Sequence, residues 1–106
     1  MNNEAAPTPV VTDLIKGSAR YSRARWAAIG MELKCTPRRL QVIQGILDDK
    51  TERAIALNLG LSVHTVHGHI REIFSKYEVH TRLQLAELIS EIDRHLTAAE
   101  RAQGTP

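Results

Sequence analysis

Three histidines, His64, His67 and His69, fall within six positions of the stretch "VHTVHGHIREIFSKY", residues 63–77, in a chain with five histidines in all. The first chemistry such spacing suggests is metal ligation. On a helix turning about 100° per residue, His64 and His67 share a side, while His69 lies roughly 160° away from His67. The three rings therefore cannot converge on one ion. No cysteine or acid shares the face of His64 and His67 to complete a two-histidine site. Cys35 is the only cysteine, which excludes an internal disulfide and a cysteine-rich metal centre. The expectation is no metal and no cofactor.

The same wheel points to a different chemistry. Val63, Val66, Ile70, Ile73, Phe74 and Tyr77 gather on one side, a core face. His64, His67, Gly68, Arg71 and Ser75 gather on the other, which must meet solvent or a partner. That face is cationic, rich in donors and free of acids over its first two turns, and its N-terminal N–H groups favour phosphate. Arg71 can donate bidentately to guanine O6 and N7, and His67 can donate or accept at a base edge. Gly68 costs about 1 kcal/mol against alanine inside a helix. It reads either as tolerated drift or as a close approach of backbone to a groove. His69 is expected to pack beside the core.

The elements that must position these residues are helices. Upstream, "TERAIALNLG" reads as a short helix capped by Thr51, with Ile55, Ala56 and Leu59 inward and Gly60 supplying the left-handed residue that ends it. Only "GLS" separates it from the next helix, whose cap is Ser62; two helices joined by a three-residue turn with glycine form a helix-turn-helix. Before it, Thr36 and Pro37 start a helix with Leu40, Ile43 and Leu47 inward, Val42 and Ile46 flanking, and Asp48 and Asp49 at its end. After it, Thr81 to Gln84 is a capping box. It opens a helix whose stripe is Leu85, Leu88, Ile89, Ile92 and Leu96. Trp26, Ile29 and Leu33 mark one face of a helix within residues 13–34. Residues 1–12 read as a disordered tail and 98–106 as a flexible one, leaving 35–97 as the folded module.

The stretch from Thr36 to Leu88 resembles the LuxR/GerE-type helix-turn-helix, the DNA-binding domain of many bacterial regulators. The residues that carry the likeness are "TPR" at 36–38, "VI" at 42–43, "IA" at 55–56, "LGLS" at 59–62, "TV" at 65–66, His69, Ile73, Lys76, Val79 and Arg82. The resemblance implies an all-α fold: a four-helix domain, here with an additional N-terminal helix. Its third helix, residues 63–77, would read the major groove, with His67, Gly68 and Arg71 facing bases. Arg53 and the turn Ser62, His64 and Thr65 would lie near phosphate, and Ser75 completes the face. It further implies a dimer through the last helix, so the stripe Leu85, Leu88, Ile89, Ile92 and Leu96 would be divided between core and partner.

Two departures stand out. The family usually has lysine where His67 stands and glutamate where Arg39 stands, and Asn-Lys-Glu where this chain has Glu52-Arg53-Ala54. A histidine at 67 predicts tighter DNA binding at pH 6 than at pH 8, because imidazole titrates near neutrality. Only about 35 residues precede the module, too few for a phospho-acceptor domain or an enclosed small-molecule pocket, so either a stand-alone regulator or a piece of a larger protein is expected.

Charge is consistent with a polyanion partner. Residues 13–34 carry a net +3 and 36–82 a net +2, against −2 from residue 83 onward. With no membrane-length apolar run and no secretory signal, a cytoplasmic location is the default. The partners expected are double-stranded DNA and a second copy of the chain. A second function stays open, a protein-interaction module similar to the promoter-binding region of sigma factors that binds RNA polymerase or another regulator. No catalytic constellation appears, so no enzyme is expected.

Overall fold

The computed structural model describes residues 17–104, and within them the chain is all-helical. A 3-10 turn, Gly17–Arg20, precedes five α-helices: α1 (Arg23–Leu33), α2 (Pro37–Leu47), α3 (Glu52–Leu59), α4 (Val63–Lys76) and α5 (Arg82–Gly104). The expected tail 1–12, the first four residues of the 13–34 segment and the last two of the chain lie outside the described residues.

Side-chain caps set the helix starts. Ser22, Thr36, Thr51 and Ser62 each stand in extended backbone and accept the N–H three residues on, at 3.0–3.1 Å. Each such cap satisfies one of the donors a helix start leaves unpaired, worth about 1 kcal/mol. Thr81 likewise accepts from Gln84 N–H at 3.0 Å, but the reciprocal bond differs from the expected box. The Gln84 side chain takes the N–H of His80 at 2.6 Å, one residue further back.

The core is a single cluster drawn from all five helices. Ile29, Val42, Ile43, Val66, Ile73, Leu85 and Ile89 are fully buried at its centre. The faces expected of α1 and α3 are borne out, with Trp26, Ile29, Leu33, Ile55 and Ala56 buried and Leu59 half-buried. On α2 the roles shift: Val42 and Ile46 are buried, while Leu40 is only half so. This helix is covered by α4, α5 and the 3-10 turn, so more than one of its sides faces inward. Val63, placed on the core face by the wheel, is 45% exposed because it is the first residue of α4 and stands beyond the packed part of the helix.

Segment 17–33 is tied down at several points. Ser18 N–H and hydroxyl both donate to the Asp48 carboxylate, at 2.6 and 2.8 Å, which gives Asp48 a partner at the end of α2. Trp26 Nε1–H donates to Ser18 O at 2.8 Å and stacks edge-on against Tyr21. Arg25 reaches across to α5, Nε to Asp93 at 3.1 Å and Nη2 to Glu100 at 2.8 Å.

That last pairing bears on the expected end of α5. Helical backbone continues through Gly104 instead of stopping near residue 97. Ala98, Ala99, Glu100, Arg101 and Gln103 are all strong helix formers, and Glu100 is held by Arg25. Among the described residues no helix is long and apolar enough to cross a membrane.

Candidate nucleic-acid interface

The geometry of the interface begins with the turn between α3 and α4. Gly60 adopts φ 69°, and the N–H of Leu61 bonds Ala56 O at 2.9 Å, closing α3. Glycine takes this left-handed backbone at the least steric cost. Ser62 then opens α4; its hydroxyl also donates to Thr65 Oγ1 at 2.9 Å. From α2, Arg38 donates to Leu59 O at 3.1 Å, pairing a carbonyl that the end of α3 would otherwise leave unbonded. The turn is thus fixed from both sides by hydrogen bonds, and the buried Val66 and Ile73 seat α4 on the core.

With α4 seated that way, its outer face is the one the wheel predicts. Arg53, Ser62, His64, Thr65, His67, Gly68, Arg71 and Ser75 are all exposed. Arg53 and Arg71 have no ion-pair partner among the described residues, so both cations are available to an anion. Ser62 and Thr65 are partly spent on the cap described above. Half-buried His69 sits on the flank, as expected. Among the described residues nothing lies within 4 Å of where a Cβ would stand on Gly68, so none of their packing calls for a glycine there.

One contact on this face was not legible from the residues alone. The Nδ1 of His67 lies 3.2 Å from both carboxylate oxygens of Glu52, the first residue of α3. Glu52 reads in the sequence only as an acid favourably placed at a helix start. The fixed length of the intervening turn was the available signal, since it brings the start of one helix beside the second turn of the next. Among the described residues no three His, Cys, Asp or Glu side chains gather as a metal site.

Behind the face, α4 is braced. Arg39 pairs with Glu72, Lys76 Nζ donates to Lys34 O at 2.9 Å and the Tyr77 hydroxyl donates to Leu33 O at 2.9 Å. Burial pushes the Tyr77 hydroxyl up to about 12, with the neighbouring Cys35 adding to the shift, and burial likewise raises the Cys35 thiol.

The α5 stripe is unevenly buried. Leu85 and Ile89 are completely buried in the core. Leu88, Ile92 and Leu96 are half-buried against that core. The largest apolar exposure on α5 is Leu83, at 67%, which the stripe left out.

The profile of bacterial regulatory proteins of the luxR family matches residues 28–89, more than half of the chain. No curated protein and no solved structure matches the chain closely enough to add to this.

Proposed function

The chain belongs to the luxR family of bacterial regulatory proteins, helix-turn-helix DNA-binding regulators of transcription, and from that premise we propose that it reads a specific duplex sequence by setting α4 into the major groove. The observation that carries this is the outer face of α4. His64, Thr65, His67, Gly68, Arg71 and Ser75 are exposed together on a helix fixed by its turn and its buried side, with Ser62 at its cap and Arg53 exposed on the neighbouring α3. In this reading Arg71, His67 and Gly68 meet base edges, while Arg53 and the start of α4 lie against phosphate. Ser75 lies further along the same face.

The protein acts as a dimer, with Leu83 and the outward parts of Leu88, Ile92 and Leu96 as the surface that meets the second copy. Phosphate contacts supply most of the affinity, so binding weakens steeply with salt.

Selection from a randomised duplex pool at near-physiological salt, with the wild type beside Arg71→Ala, tests both parts. The expected result is a two-fold motif with half-sites about 10 bp apart, lost in the variant. Weak retention of DNA without any motif by both proteins would overturn base reading. It would favour instead a protein partner, such as polymerase, bound through α5.

A further inference from the structure

His67 and Glu52 face each other across the two helices of the DNA-reading motif, and their geometry fixes more than a contact. A carboxylate can only accept, so a neutral imidazole whose Nδ1 lies 3.2 Å from both Glu52 oxygens must carry its proton on Nδ1. The other nitrogen, Nε2, is then a lone-pair acceptor. It has no protein partner among the described residues, and the side chain is 52% exposed on the same face as Gly68 and Arg71. Glu52 is itself held in place as the first residue of α3, behind the Thr51 cap. Among the described residues Glu52 is the one acid paired with the ring.

We infer that Glu52 is a specificity-determining residue acting through His67: by holding the ring as its Nδ1–H form it presents Nε2 to the groove as an acceptor, selecting a base with an exocyclic amine. In the major groove only adenine N6 and cytosine N4 donate, whereas guanine and thymine present acceptors at the equivalent edge. A lone pair aimed at O6, N7 or O4 is repelled. One position in each half-site is therefore adenine or cytosine on the strand His67 faces, and Arg71 reads a separate position nearby. The inference rests on the proposed DNA-reading role. It assigns a charged residue outside the reading helix the task of setting what that helix reads.

Two measurements on the full chain at pH 8, where imidazole side chains are ordinarily neutral, test it. The ring nitrogens of His67 are observed by NMR in the free protein, in the wild type and in Glu52→Leu and Glu52→Ala, neither of which leaves a side-chain acceptor facing Nδ1. The wild type shows Nδ1 protonated and Nε2 bare, and the variants shift toward the opposite tautomer. Pool selection with the same three proteins gives a wild-type motif that favours adenine or cytosine at one position by about fivefold or more, the low end of what a base-edge contact contributes. Both variants keep the rest of the motif and lose that preference.

A wild-type ring protonated on Nε2, or an unchanged preference in both Glu52 variants, would overturn the inference. A wild type that enriches no motif overturns the base preference together with the regulator reading. The ring spectrum, read without DNA, separates that failure from a wrong tautomer.

Discussion

The hydroxyl of Tyr77, at the end of α4, donates to the carbonyl of Leu33, at the end of α1, at 2.9 Å. Beside it Lys76 donates to Lys34 O at the same distance. Carbonyls at a helix end lack intrahelical donors, so α4 supplies the partners that α1 cannot. Tyr77→Phe removes one donor and leaves Leu33 O without it in a half-buried place. The expected cost is about 1–2 kcal/mol of stability, read as a lower urea midpoint with an unchanged slope.

That same hydroxyl gives a pH signature. Its folded value is pushed up from 10.0 to about 12, by burial first and by Cys35 next. A raised value means the folded state holds the proton more tightly than the unfolded chain. The contribution is complete below about pH 10 and is lost as pH rises from there through about 12. Spectroscopic titration should show a tyrosine ionising only at the alkaline extreme, and Tyr77→Phe should abolish that late step. Cys35, raised by burial, should react with thiol reagents at pH 8 more slowly than a free cysteine does. A rate matching free cysteine would contradict the burial.

Much of the fold was legible because it rests on local chemistry. Thr36, Thr51, Ser62 and Thr81 mark helix starts through bonds spanning three residues, and Gly60 marks an end through its own backbone. The exposed side of α4 was legible for the same reason, since periodicity alone separates His67 and Arg71 from Val66 and Ile73. What escaped is what depends on a second helix. Glu52 and His67 meet only because two helices pack, and the full burial of Leu85 and Ile89 follows from how α5 lies on the rest of the core. The length of α5 escaped because one of its supports, Arg25, lies 75 residues from Glu100.

The Arg25–Glu100 pair makes its own prediction. Arg25 is largely covered and Glu100 largely exposed, so the pair contributes modestly, about 0.3–1 kcal/mol. Its effect is confined to the end of α5. In Glu100→Ala, amide hydrogen exchange from residue 98 to 104 should quicken while melting temperature barely moves. Unchanged exchange there would mean that the last turns do not depend on this pair.

Two glycines inside helices should answer oppositely to the same substitution. At Gly45 an added Cβ would stand 2.7 Å from Ile55 Cγ1, at the buried contact of α2 with α3. Gly45→Ala should therefore cost about 1–3 kcal/mol through overpacking, visible as a lower melting temperature. At Gly68 an added Cβ meets nothing within 4 Å among the described residues, and alanine is the better helix former by about 1 kcal/mol. Gly68→Ala should raise the melting temperature of the free protein. If the groove floor approaches this backbone, the same methyl obstructs it, and affinity for the selected duplex should fall by roughly tenfold, the scale of one mismatched base pair. Measured together, higher stability with weaker DNA binding identifies a glycine kept for contact. Higher stability with unchanged binding would place the groove further from α4 and leave Gly68 without a role in reading.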